Sequence, residues 1–399
     1  MEQQDIRQQI KQNAIMDILN EPSTYNKVMK FQSYKSILGD CKIYLFDEEM
    51  SNIDDSFKNY KIGKCGIYGV SDYTKTWIID SYHGTESRYV EIGKTIDFDL
   101  NVFTYLNKII QGKRINDGIN RLDVIEYFNY IKKNEFQCGI TTALMERATK
   151  PIDLNILSEM LISFVRFDNM NYIDDNCGEI NLCENDYARV KRMYDMEIGL
   201  INEKYGQFDL LCCCVMKAFL IKEKEKSISA DKKIEMLIMY CLYDLSCFIE
   251  KELILLALYI MDDEKVKETF QKLNKISKIE ENILNVTWDL YHIRLIEQIF
   301  LHDNMNKIER NIFSYYATAD KGLTDAMNMN PLKAFVILDD YPIPFHSVGV
   351  EDICQNGDIL LEIRSNVLFR KEKIKGIDFS EKKKNLQSEI HEFKIKRMN

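Results

Sequence analysis

Proline and glycine are scarce, with 5 Pro and 16 Gly in 399 residues. That excludes collagen-like and low-complexity chains and leaves few obligatory breaks in helices. Long lipid-like runs are missing too: the most apolar stretch, Leu253 to Met261, is far shorter than the roughly 20 residues that cross a bilayer. The opening segment MEQQDIRQQIKQN has none of the apolar core of a secretion signal, so a cytoplasmic protein with no membrane partner is expected. Positive charge is not in excess. Lys and Arg number 53 against 63 Asp and Glu, a net charge of −10, so the chain does not coat nucleic acid through its overall charge and any phosphate recognition must be local. The 11 Cys include no C-x-x-C pair, which removes the usual zinc-ribbon signal. Cys212, Cys213 and Cys214 lie in an apolar stretch and point around different sides of a helix, so buried, reduced thiols in a core are expected rather than a metal or redox site.

What is present is a large core: 46% of the residues are apolar and 29% charged. The length predicts two or three domains, or one domain carrying a large insertion. Residues 1 to about 40 read as helical. Short β-rich pieces follow at Lys42 to Phe46, Cys65 to Val70, Thr76 to Ile79 and Tyr89 to Ile92, suggesting a small N-terminal sheet. Lys94 to Asp99 is strand-like and runs directly into Val102, Leu106, Ile109 and Ile110 at helical spacing. From about 186 to 301 the pattern is almost wholly helical. Ile312 to Ala317 and Ala334 to Leu338 then read as apolar strands around a short helix, the pattern of a βαβ crossover. Residues 364–399 hold 11 basic and 5 acidic groups. Lys382, Lys383, Lys384, Lys394, Lys396 and Arg397 could form an RNA-docking arm, but Leu386, Ile390 and Phe393 recur at helical spacing and favour a terminal helix that docks on the fold.

Asp99 ends one apolar strand just before a helix, and Asp320 holds the equivalent place after Ile312 to Ala317. Open α/β sheets place ligands outside the carboxyl ends of their strands. Two such carboxylates on neighbouring parallel strands would repel each other unless a cation joined them, and oxygen-only ligands suit Mg²⁺ or Mn²⁺. His292 follows Asp289 by three residues and shares its helix face, which makes it a possible proton shuttle or phosphate ligand as well as an ordinary structural histidine. His83, in a polar turn, could touch substrate, yet loops gather such residues without function.

Four segments resemble the PIN-like metal-dependent nucleases: IDFDLN at Ile96 to Asn101, ITTALMERA around Glu146, VTWDLYHIRL around Asp289, and TADKGL at Thr318 to Leu323. In the last, Thr318, Asp320 and Leu323 match the family's T-x-D-x-x-L. The resemblance implies an α/β fold with a PIN-like parallel sheet flanked by helices, and a catalytic, metal-binding set of Asp99, Glu146, Asp289 and Asp320 around Mg²⁺ or Mn²⁺. Asn101 and Thr318 would support that set, and Lys321 would neutralise a substrate phosphate or simply be an exposed turn lysine. Asp97 competes with Asp99, which the D-x-N spacing prefers; Glu159, Glu179 or Glu184 could replace Glu146, because 146 and 289 lie too far apart for a compact core. The implied organisation is an N-terminal mixed, β-rich module over 1–93, core halves over 94–165 and 283–345, a large helical insertion over 166–282, and a C-terminal extension with a basic tail over 346–399. The implied activity is endoribonuclease hydrolysis of phosphodiester bonds in a toxin or antiviral-defence effector, with nucleic acid, an antitoxin or regulatory protein, and a second copy of the chain as partners. The alternatives are a non-catalytic protein-interaction or scaffold protein on the same fold, and a structure-specific DNA nuclease.

Overall fold

The computed structural model of the chain describes residues 2–53, 57–81, 91–115, 118–148, 154–174, 181–305, 310–365 and 367–398. Strand β1 (Cys41–Leu45) is buried along its whole length, so both of its faces need cover. Cys41, Ile43 and Leu45 point one way, toward Ile15, Ile18, Phe31 and Leu38 of helices α1 (Glu2–Leu19) and α2 (Thr24–Leu38). Tyr44 points the other way, where its ring meets Phe300 edge-on. β1 pairs antiparallel with β4 (Trp77–Asp80) and β8 (Leu332–Leu338), and β8 pairs antiparallel with β9 (Tyr341–His346), closing a four-stranded sheet.

The second sheet has the order β2 (Tyr60–Ile62), β3 (Cys65–Gly69), β7 (Arg310–Thr318), β5 (Glu91–Phe98), β6 (Gln137–Gly139). β5 is parallel to both β7 and β6, whereas β2, β3 and β7 run antiparallel. Phe98 lies opposite Ala317, so the strands expected to end in Asp99 and Asp320 are indeed parallel neighbours. Helices α3 (Leu100–Ile110), α4 (Arg121–Lys133), α5 (Thr141–Ala148) and α6 (Leu154–Asp168) follow β5 and surround β6 in the chain. The long α7 (Glu184–Lys224), α8 (Ala230–Met239), α9 (Glu250–Ile260) and the short α10 (Lys267–Phe270) lead to α11 (Ile279–Met305), which packs against β7 and α7. After β7 comes α12 (Lys321–Met329), and after β9 come α13 (Val350–Ile353), α14 (Gly357–Arg364), α15 (Val367–Ile374) and α16 (Phe379–Met398).

Two expectations are corrected here. The N-terminal strands do not form a sheet of their own: β1 and β4 join β8 and β9, while β2 and β3 extend the β7 edge. Tyr89 and Val90 lie outside the described residues. The segment β7–α12–β8 is not a crossover within one sheet, because β7 already has β3 on one side and β5 on the other and offers no free edge. β8, apolar on both faces, pairs with β1 between α1–α2 and α11 instead.

The terminal helix packs inward. Leu386, Ile390 and Phe393 of α16 are buried, Phe393 meeting Phe219 of α7 edge-on at 5.7 Å. Lys383 pairs with Asp209, Lys394 with Glu280 at 2.8 Å and Arg397 with Glu223 at 3.3 Å, so acids of α7 and α11 answer three of the tail's cations. Among the described residues every Cys is a free thiol, and no helix is long and apolar enough to cross a membrane. Cys212, Cys213 and Cys214 are fully buried in the core, as their apolar setting suggests.

Candidate functional site

The two strand-end acids are held by the same local rule. A strand that turns into a helix leaves amide N–H groups unsatisfied at the helix start, and a short acidic side chain there accepts from them. Asp99 caps α3, its Oδ1 accepting from the Asn101 amide at 3.3 Å. Asp320 caps α12, its Oδ1 accepting from the Leu323 amide at 3.1 Å, which explains the T-x-D-x-x-L spacing with Leu323 buried beneath the first turn. Thr318, buried at the end of β7, ties the two together. Its hydroxyl donates to Asp99 Oδ2 at 2.8 Å and accepts from the Asp320 amide at 3.0 Å.

Helix α11 brings Asp289 and, one turn on, His292 to the same place. The Asp289 side chain is 13% exposed, and the Lys272 ammonium donates to its Oδ2 at 3.2 Å while standing 3.6 Å from Asp320 Oδ2. His292 is buried between the rings of Trp288 and Tyr316, with centroids 5.4 and 5.5 Å away. Glu146, on α5, completes the group: ligand atoms of Asp99, Glu146 and His292 all lie within 4.8 Å of one another. His292 Nε2 is 4.0 Å from Glu146 Oε2, too far for a hydrogen bond, and it has no hydrogen-bond partner. A buried polar atom left so costs about 1–3 kcal/mol.

Burial dominates the electrostatics. It pushes the Asp99 carboxyl up to about 6, with Asp320 adding to the rise and Thr318 and Asn101 opposing it. It pushes Asp289 up to about 7 against the nearby Lys272, with Asp320 and Asp99 adding to the rise. His292 is driven down to about 3, so its ring is neutral near pH 7. Burial draws the Lys272 ammonium downward, but Asp289 and Asp320 outweigh it and its pKa ends above the ordinary value. Carboxylates raised by burial and by one another are the condition in which a bound cation gains most.

Of the four acids singled out in the sequence, Asp99 and Glu146 meet beside His292, while Asp289 and Asp320 share Lys272, and Thr318 links the two pairs through Asp99 and the Asp320 amide. Asn101 and Thr318 hold Asp99. Asp97 does not join them: it is buried toward α5, accepting from the Thr142 amide at 3.1 Å and from the Thr142 hydroxyl. Lys321 is exposed on the first turn of α12, and Glu159 and Glu184 are exposed. Glu179 and His83 lie outside the described residues.

Lys272 and Tyr316 belong to the same neighbourhood and were not singled out by the sequence. Lys272 sits in a single 3-10 turn, Gln271–Asn274, in a stretch that also holds Lys265, Lys267, Lys275 and Lys278, so nothing distinguishes it. Its position comes from packing. Thr269 donates to the Gly322 carbonyl at 2.7 Å, and Asn282 donates to the Lys272 carbonyl at 2.7 Å. A Cβ on Gly322 would stand 3.2 Å from the Glu268 carbonyl oxygen and from Thr269 Cα, so glycine lets α10 approach the cap of α12. Tyr316 read as an ordinary strand residue, yet its hydroxyl is buried beside the acids: burial raises its pKa, Asp99, Asp97 and Glu146 add to the rise, and Thr142 opposes it.

A scan against protein-family models, a search of curated proteins and a search of solved structures each return no match to this chain.

Proposed function

We propose that the chain is a divalent-metal-dependent endonuclease that hydrolyses phosphodiester bonds, acting on RNA, with a PIN-like core built on β5 and β7. The observation that carries this reading is the placing, beyond the carboxyl ends of two parallel strands, of Asp99 and Glu146 beside His292 and of Asp289 and Asp320 around Lys272. Burial and neighbouring acids make Asp99 and Asp289 unfavourable as bare anions, and carboxylate oxygens fit Mg²⁺ or Mn²⁺. The orphaned Nε2 of His292 beside Glu146 fits a cation as well.

When bound, such an ion polarises a scissile phosphate and lowers the pKa of an attacking water. The chain supplies the rest. Thr318 and Asn101 fix Asp99 in one orientation, and Asp320 is fixed by the first turn of α12, so the carboxylates need little reordering to act. Lys272 places an ammonium next to Asp289 and Asp320, where a phosphate oxygen entering the cluster would meet it. The choice of RNA follows the PIN-like resemblance of the four motifs.

Lys272 also favours a second reading. An ammonium already paired with two of the four acids is what a non-catalytic descendant of such a site would keep, with the helical region acting as a protein-interaction surface. Incubating the purified protein with single-stranded RNA, duplex DNA and flapped DNA, with Mn²⁺, Mg²⁺ or chelator, separates the readings. RNA cleavage that needs metal and disappears in Asp99→Asn and Asp289→Asn supports the nuclease. Cleavage indifferent to both substitutions, or none with any substrate and metal, rejects it.

A further inference from the structure

We infer that the cluster is a one-metal centre for a transition ion of the Mn²⁺ or Zn²⁺ class, held by Asp99, Glu146 and His292, with Lys272 standing as the second cation on Asp289 and Asp320. The inference deepens the preceding one by naming the ion class and number, and its test reads metal binding rather than cleavage.

Two independent observations point to the ion. Asp99 and Glu146 each present a carboxylate oxygen within 4.8 Å of a His292 nitrogen, so the three donors can reach one ion with small side-chain adjustments. His292 Nε2 is buried with no hydrogen-bond partner, although it faces a carboxylate at 4.0 Å. A structural histidine would place that nitrogen on a hydroxyl, an amide or a carboxylate at bonding distance. The Tyr316 ring packs on the same imidazole, with centroids 5.5 Å apart.

The donor set decides the class. An imidazole nitrogen with two carboxylates suits Mn²⁺, Fe²⁺, Co²⁺ or Zn²⁺, whereas Mg²⁺ prefers oxygen and water throughout. The other half of the cluster decides the number. Lys272 Nζ is 3.2 Å from Asp289 Oδ2 and 3.6 Å from Asp320 Oδ2, and the turn that carries it is anchored by Asn282 and by Thr269 packed on Gly322. A tethered ammonium there provides the positive charge that a second ion would otherwise bring.

The test uses the metal-stripped, tag-free full chain titrated with Mn²⁺ and Mg²⁺ by calorimetry, with pulsed electron paramagnetic resonance on the Mn²⁺ form. One Mn²⁺ per chain is expected, bound at least tenfold tighter than Mg²⁺ and showing hyperfine coupling to a single ¹⁴N. His292→Asn should remove that coupling and weaken Mn²⁺ at least tenfold, Glu146→Gln should weaken it comparably, and Lys272→Met should admit a second Mn²⁺. Two Mn²⁺ per wild-type chain, absence of nitrogen coupling, or undiminished Mn²⁺ affinity in a folded His292→Asn protein would overturn the inference. If that variant fails to fold, the coupling in the wild type decides alone. Binding of one nitrogen-coupled Mn²⁺ without cleavage of RNA sinks the nuclease reading and keeps this centre, whereas metal-dependent cleavage with two equivalent ions does the reverse.

Discussion

The Thr318 hydroxyl donates to Asp99 Oδ2 at 2.8 Å, joining the ends of two parallel strands whose residues are 219 positions apart in the chain. The same oxygen accepts from the Asp320 amide, so one side chain sets the spacing of two acids. Thr318→Val keeps the shape and removes both bonds. It should lower stability by about 1–2 kcal/mol, read as a shift of the urea midpoint, and should raise the Asp99 pKa further above about 6. Thr318→Ser should restore most of both, and an unchanged midpoint in the Val variant would show that the bridge contributes nothing.

Asp289 is costly to ionise in the metal-free protein. Its folded pKa of about 7 lies above the ordinary carboxyl value of 3.8, so the folded state binds the proton more tightly than the unfolded chain. The group's favourable contribution is complete below about pH 4 and is lost as pH rises through about 7. Asp289→Asn should therefore raise the melting temperature of the metal-free protein at pH 8, corresponding to about 4 kcal/mol, and change it little at pH 4. A variant that melts lower at pH 8 than at pH 4, relative to wild type, would contradict this.

Glu297 behaves in the opposite sense. Burial favours its neutral form, but Lys251 and His346, the latter with its Nε2 at 3.2 Å, outweigh that and hold the carboxyl down to about 2. The stabilisation is present above the ordinary value of 4.5 and is lost as pH falls from about 4.5 toward about 2. Acid unfolding should steepen across that interval. Glu297→Gln should flatten it while costing about 3 kcal/mol at pH 7, because Lys251 stays buried beside a neutral group.

Gly322→Ala tests the packing that delivers Lys272. The added methyl would stand 3.2 Å from backbone atoms of Glu268 and Thr269, which must retreat by a few tenths of an ångström. The expected loss is about 1–2 kcal/mol in thermal unfolding, with the Thr269-to-Gly322 bond lengthened. Full retention of stability would show that α10 yields freely.

Burial of the tail predicts a stability effect rather than a binding one. Ile390 is wholly buried against the fold, so Ile390→Asp should cost about 3 kcal/mol or detach α16 altogether, seen as increased proteolysis after about residue 375. A protein that is equally stable and loses RNA affinity instead would restore the docking-arm reading.

Local chemistry made much of the site legible. Strand-to-helix turns with a capping acid leave a short signature, which is why Asp99, Asn101, Thr318 and Asp320 could be marked from spacing, and the i, i+3 relation placed His292 with Asp289. Lys272 carried no such mark because its place depends on where α10 packs, a relation between Thr269 and Gly322 that spans 53 residues. Asp97 and Asp99 could not be separated by alternation alone; the structure turns Asp97 toward Thr142 at the start of α5. The apolar strands β1, β3, β4, β5, β7 and β8 were legible from their runs, whereas the short or polar β2, β6 and β9 and the strand partners were not. β8 looked like the return of a crossover, and its pairing with β1 depends on the edges of β7 being taken by β3 and β5.

The pairing of β5 with β7 has a consequence for synthesis on the ribosome. β5, α3 and α5 emerge with Asp99 and Glu146 in place along the chain, but the edge of β5 that must meet β7 stays open until more than 150 further residues have been made. During that interval the β7-facing edge of β5 has no partner, the kind of surface that invites mispairing. Whatever chemistry the acids perform is consequently withheld until translation has passed Asp320, so a nascent chain stalled earlier would carry the parts without the assembled centre.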